Sequence, residues 1–200
     1  MRQSCLLTAG ATLLLAISSA QASVIWSTGP NDVSFTKPGG VDETNPIYWD
    51  KISSDVWITR GLTKGLYNPK TETVFNDVVD PAVSPADTQW AFSEVDGNPA
   101  FTYGIGAAQH ANLTFNFWED SLGGANNLGF NILAHPAVLH IVSQDIFLDI
   151  QFTSWQQHGG GGFAYTRAAA PAAVPEPASL GCLALTAAAL LLRRQRRPCL

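Results

Sequence analysis

The sequence predicts an all-β domain, a β-sandwich or jelly roll, flanked by an N-terminal signal peptide and a short C-terminal apolar helix. Three observations predict it. In the interior of the 200-residue chain, apolar residues recur at every second position, the period of a pleated strand rather than of a helix. The apolar runs are short and rich in β-branched and aromatic residues, and clusters of Gly, Pro, Asn and Asp close them off. No interior stretch carries a helical period, so about eight to ten short strands must stack as sheets with one apolar face each.

The chain opens "MRQSCLLTAGATLLLAISSAQAS". Arg2, an apolar stretch over residues 5–17 and the ending Ala20-Gln21-Ala22 are the charged start, core and A-x-A site of a secretory signal peptide. Residues 1–22 are expected to be removed, with the cut between Ala22 and Ser23. Cys5 precedes the apolar core rather than following it, which argues against a lipoprotein. The Sec translocon and signal peptidase are the partners implied.

Residues 23–167 are the expected β-sandwich, and a chain of that length buries about 70% of its unfolded surface. Its strands are read at "SDVWITRG", "TQWAFS", "PAFTYGIG", "ANLTFNFW", "AVLHIV", "DIFLDIQFTSW" and "GFAYTR". In "DIFLDIQFTSW", Ile146, Leu148, Ile150 and Phe152 point one way; Asp145, Phe147, Asp149, Gln151, Thr153 and Trp155 point the other. In "ANLTFNFW", Leu113, Phe115 and Phe117 oppose Asn112, Thr114 and Asn116. Between the strands, "GPND", "KPGG", "VDPAVSPAD", "EVDGNP" and "LGGANNLG" are turns, and "QHGGGG" is a hairpin loop. The chain's three cysteines are Cys5, Cys182 and Cys199. None falls in the domain, so its core must hold without a disulfide.

Residues 168–177 form a Pro/Ala stalk. Residues 178–192 are a short apolar segment, roughly 22 Å long as a helix against a hydrocarbon slab of about 30 Å. Residues 193–200 carry Arg193, Arg194, Arg196 and Arg197, which can snorkel and which place this end on the cytoplasmic side. The domain must then face away from the cytoplasm, in agreement with the signal peptide. Val174-Pro175-Glu176-Pro177, the apolar segment and the Arg-rich end together resemble the PEP-CTERM sorting signal of Gram-negative bacteria. The resemblance covers only the end of the chain. It implies recognition and removal of the tail by an exosortase, an integral-membrane cysteine protease-transpeptidase. It also implies transient residence in the inner membrane, then the cell surface or the extracellular space. The segments "ISSDVWITRG…GLYN", "SPADTQWAF" and "DIFLDIQFTSW…GGGGFAYTR" resemble stretches of uncharacterised secreted bacterial β-proteins bearing the same tail. That likeness implies a common domain and brings no activity with it.

All 16 acidic residues lie between Asp32 and Glu176. Of the 11 basic ones, five sit in the two ends and six between. The exported part is thus about −10, which repels phosphate backbones and excludes nucleic acid. No G-x-S-x-G elbow and no domain cysteine offers a nucleophile. Paired carboxylates for glycoside hydrolysis are limited to Glu94 with Asp96 and Glu119 with Asp120. Trp90, Phe101, Tyr103 and Trp118 would be the sugar platform beside them. Five positions separate His135 from His140, so in one strand they lie on opposite faces and cannot share zinc. Calcium takes six to eight oxygens, and the loop donors Glu94, Asp96 and Asn98 are the candidates for a structural ion. Asn76, Asp77 and Asp80, and the pair Asp145 and Asp149, are further ones, although that pair also reads as the wet face of an edge strand. Trp155 is the candidate for a surface contact with a ligand, set against packing under the Gly159–Gly162 loop. No catalytic residue and no obligatory cofactor is expected. The expectation is a non-enzymatic structural or adhesive component of the cell surface or polysaccharide matrix. A carbohydrate-binding module and, more remotely, a glycoside hydrolase are the alternatives.

Overall fold

Short β-branched and aromatic runs become nine strands and one helix among the residues described by the computed structural model, which are 22–76, 83–157 and 159–172. The strands are β1 (Val24–Trp26), β2 (Val33–Lys37), β3 (Asp50–Lys51), β4 (Trp57–Arg60), β5 (Leu66–Tyr67) and β6 (Thr88–Phe92). After α1 (Leu128–Ala134) come β7 (Ala137–Ile141), β8 (Ile146–Trp155) and β9 (Phe163–Arg167). The large sheet runs β2-β9-β8-β7-β6, and the small one β3-β4-β5. Strand β8 is the spine. Its first half pairs with β7, from Ile146↔Ile141 to Ile150↔Ala137. On its other edge, β1 lies parallel to residues 146–148, and β9 lies antiparallel to residues 150–155.

The two sheets share one core. Trp90, Phe92, Trp118, Phe152, Phe163 and Tyr165 meet Ile52, Val56, Ile58 and Leu66 in a single buried cluster. The arrangement is an all-β sandwich with very unequal layers. Because the smaller sheet has few side chains to offer, aromatic rings fill the gap: Trp118 stands edge-on to Trp90 at 4.8 Å, and Phe152 packs against Trp118 at 5.4 Å. Offset and edge-on ring pairs of this kind add to the area they bury. The Trp118 indole N–H is the one buried side-chain polar atom without a partner among the described residues.

Polar clamps join the layers. Arg167 of β9 donates to both oxygens of Asp50 of β3, at 2.6 and 2.8 Å, and the Tyr165 hydroxyl donates to the same carboxylate at 2.7 Å. All three are buried, and burial, reinforced by Asp50, holds the Tyr165 phenol far above its usual range.

Several expectations are corrected by the backbone. "PAFTYGIG" is a run of turns, not a strand; Gly104 there sits at φ 98°. "ANLTFNFW" is irregular apart from one antiparallel bridge, Trp90↔Asn116, although Leu113 and Phe115 do turn to one side together. A helix exists where none was expected: α1 buries Leu128 and Ile132, four positions apart and hence on one face. Seven residues are too few for the period to show. Strand β8 is central rather than an edge, and Asp149 is buried rather than wet. Finally, Thr153 is an extra residue: Phe152 pairs with Tyr165 and Ser154 already with Ala164. This bulge advances the pleat by one, so Trp155 falls on the core side with Phe163 instead of on the polar face.

Candidate functional site

The bulge brings Trp155 to Arg60. The Arg60 guanidinium lies 3.6 Å from the Trp155 ring centre, and donates to the carbonyls of Lys64 at 2.8 Å, Gln156 at 2.9 Å and Gly162 at 3.1 Å. Burial pushes its pKa down to about 10. Beside it, the buried Lys37 ammonium donates to the Gly161 carbonyl at 3.3 Å, and burial lowers its pKa also. The glycine loop between β8 and β9 thus packs its carbonyls on two cations. Gly161, at φ 63°, runs so close to the Gly61 carbonyl that a Cβ would fall 2.3 Å away. Trp155, Arg60, Thr63, Glu119 and Leu128 line a cavity of about 350 Å³ at this point. Trp155 therefore packs below the loop and shows a cavity only one part of itself.

A more open aromatic surface lies on the outer face of the small sheet. Asp50 and Ile58 pair and point inward, so Trp57 and Lys51, also paired, point outward. Trp49 stacks on Trp57 with centroids 5.7 Å apart, and the Lys51 ammonium sits 4.9 Å from the Trp57 ring centre. Both indoles are half-buried, and Lys51 is exposed. The Trp49 N–H donates to the Glu43 carbonyl at 2.7 Å, which fixes the ring. Sequence reasoning missed this pair. The signal was there: Trp57 lies between inward-facing Val56 and Ile58, and Trp49 and Lys51 straddle Asp50.

The proposed sugar platform does not form. Trp90 and Trp118 are wholly buried and Phe101 nearly so; of the four, Tyr103 alone is half-buried, its hydroxyl donating to Asp32 at 2.7 Å. Glu94 turns to His135, at 3.9 Å. Ser93, Glu94, Phe101, Tyr103, His135 and Gln151 line a second cavity, of about 430 Å³. Glu119 lies apart, in the lining of the Arg60 cavity, and Asp120 is exposed at the start of the turn over Asp120–Leu122.

The loop considered for calcium spends its donors within the protein. Glu94, Asp96 and Gly97 all have positive φ. Asn98 accepts from the Thr114 N–H at 2.7 Å and donates to the Thr114 carbonyl at 3.2 Å, while Asp96 accepts from the Asn116 amide. Among the described residues, no three His, Cys, Asp or Glu side chains converge as a metal cage would require. Asn76 ends a described stretch, and Asp77 and Asp80 lie outside the described residues.

On the outer face of the large sheet, Asp149 is buried beneath the turn at residues 104–107, accepting from the Ala107 N–H at 3.2 Å. Burial pushes its pKa up to about 6, against the pull of the Ala107, Gly106 and Gly104 amides. His110 and His140 each stack on Phe147 with centroids at 4.1 Å. The His140 Nε2 lies 3.3 Å from Asp145, and burial lowers its pKa. His135 caps the end of α1, off the strand. Asp145 in turn accepts from the Ser23 hydroxyl at 2.7 Å, so Ser23, the first residue after the expected cut, is tied to the domain, and Ala22 is exposed.

Architecture thus defines the class, a two-sheet β domain in which most placed polar side chains are bonded within the fold. A destination comes from the end of the chain. Residues 173–197 match the family model described as the PEP-CTERM protein-sorting motif, as Val174, Pro175, Glu176 and Pro177 led us to expect. The end of the chain thus carries a PEP-CTERM sorting signal, which supports targeting to an exosortase and export by way of a membrane-anchored stage. No curated protein and no solved structure matches it. The motif, the apolar segment 178–192, the four arginines and residues 1–21 lie outside the described residues.

Proposed function

We propose that this protein is a non-catalytic structural or adhesive component of the surface or extracellular polysaccharide matrix of a Gram-negative bacterium. It crosses the inner membrane through the Sec translocon, loses residues 1–22 to signal peptidase, and is held by residues 178–192 until an exosortase removes the tail. The sorting motif at residues 173–197 is the observation that carries this reading. Glu94 and Glu119 line two different cavities rather than one, which supports a non-catalytic role. The test is mass spectrometry of the envelope protein from an exosortase-positive host. A mature N-terminus at Ser23 and loss of the tail, abolished by Glu176→Gln, are expected; an intact chain through Leu200 would refute the proposal.

A second reading, carbohydrate binding, is favoured by the half-buried Trp49–Trp57 pair. Aromatic faces and edges on a sheet are natural contacts for sugar C–H groups. Retention of the domain on extracellular polysaccharide should fall in Trp57→Ala and be unchanged in Phe130→Ala, an exposed aromatic elsewhere.

A further inference from the structure

Among the described residues, four that are not glycine have a left-handed backbone: Asp87, Glu94, Asp96 and Asp145. Three are aspartates, whose short side chains tolerate that region; a glutamate there is strained. The aspartates also use their carboxylates within the fold. Asp87 accepts from the Ser143 N–H at 2.9 Å, Asp96 from the Asn116 amide, and Asp145 from the Ser23 hydroxyl. Glu94, at φ 59°, does not. Its side chain is 63% exposed and its contact is His135 Nδ1 at 3.9 Å, beyond hydrogen-bond length. A residue that breaks a local rule with no structural gain marks a place to look for function.

Glu94 lines the cavity of about 430 Å³, a size within the range of small-molecule sites. It shares that lining with His135, Gln151 and the rings of Phe101 and Tyr103. Both aromatic residues are anchored: the Tyr103 hydroxyl donates to Asp32 at 2.7 Å, and the Phe101 N–H to Ser93 Oγ at 2.8 Å. No Lys or Arg is among the described residues that line the cavity. We propose that this cavity binds a small organic ammonium ion, an amino sugar or an aliphatic amine, with Glu94 as its counter-ion and Phe101 and Tyr103 as its aromatic wall. A carboxylate gives an ammonium group a charge-assisted hydrogen bond, and aromatic faces attract cations. Asp32 behind Tyr103, and the acidity of the whole exported part, add a field that draws cations and repels anions. The left-handed backbone fixes Glu94 on the rim in advance, which lowers the ordering cost of binding. This site goes beyond a structural or adhesive role and is independent of the sorting motif.

The full-length chain, purified from a host that exports it, is titrated with glucosamine, with putrescine and, as the neutral control, with glucose. Binding is read by ligand-detected NMR and folding by thermal melting, for the unaltered protein, Glu94→Gln and Glu94→Asn. At least one amine should bind and glucose should not; which amine binds tells whether the carbon frame is a sugar or an aliphatic chain. Glu94→Gln keeps the backbone and removes the charge, so amine binding should weaken at least about tenfold with the melt unchanged. Glu94→Asn should weaken binding as much while raising the melting temperature by roughly 2–4 °C, because Asn tolerates the left-handed region. Binding of glucose alongside the amines, no binding of either amine, or amine binding unchanged in Glu94→Gln overturns the site. A melting temperature no higher in Glu94→Asn would show that this glutamate serves the fold, and overturns it likewise.

Discussion

The two faces of the large sheet are built by different means. The inner face is aromatic and nearly continuous, closed by a second sheet: Trp90, Phe92, Phe152, Trp155, Phe163 and Tyr165 all belong to its cluster. The outer face has only a small apolar cluster, Phe101, Ala107, Val138 and Phe147, closed by turns and an irregular segment. What a second sheet does on one side, a buried carboxylate under a turn and two histidines stacked on a phenylalanine do on the other. Layers built from strands draw stability from area; a layer of turns must also satisfy its backbone, and Asp149 serves that need.

The largest expected effects break the inner face. Asp50→Asn strips the buried Arg167 of its counter-charge and should cost about 3–5 kcal/mol. Trp90→Ala should cost about the same through the cavity it leaves. Urea unfolding at pH 7 measures both, and losses no greater than that of the exposed control Phe130→Ala would remove the distinction between the faces. Trp118→Phe is expected to cost less, about 1–3 kcal/mol, because it loses volume but no hydrogen bond; its N–H has no acceptor to leave behind.

The outer face should show itself in pH dependence. Folding raises the Asp149 pKa from 3.8 to about 6, so the unfolded chain releases this proton first. The group's contribution is therefore full below about pH 4 and is lost as pH rises through about 6. Subtracting the stability profile of Asp149→Asn from that of the unaltered protein should reveal a falling step in that window; a flat difference would show that the amides fully offset the effect of burial on this carboxylate. His140 should give the smallest effect, with the opposite slope. Burial lowers its folded pKa below 6.5, so its contribution is present above that value and lost as pH falls through the lowered one. His140→Asn should flatten that part of the profile, and a slope that persists would assign it elsewhere.

Legibility followed the same division. Strands β4, β6, β7, β8 and β9 were readable because alternation is a local record of a face buried against something continuous. Strands β1, β3 and β5 have two or three residues, too few to display a period, and exist through their partners. Trp155 was read onto the wrong face because alternation was carried through Thr153. The half-exposed Trp49 and Trp57 were passed over because a tryptophan beside Val56 and Ile58 reads as core. Of the sites, the PEP-CTERM residues were fully legible, since an enzyme reads them as a linear segment.

From residue order alone one could know the all-β class, the missing disulfide, the acidity of the exported part and its sorting address. These depend on composition or on neighbours within a few positions. The pairing of Arg167 with Asp50, the stacking of Arg60 on Trp155 and the burial of Asp149 belong to the folded molecule. They join positions far apart in the chain, and which charges meet, lose water and change pKa depends on strand order and on a single bulge.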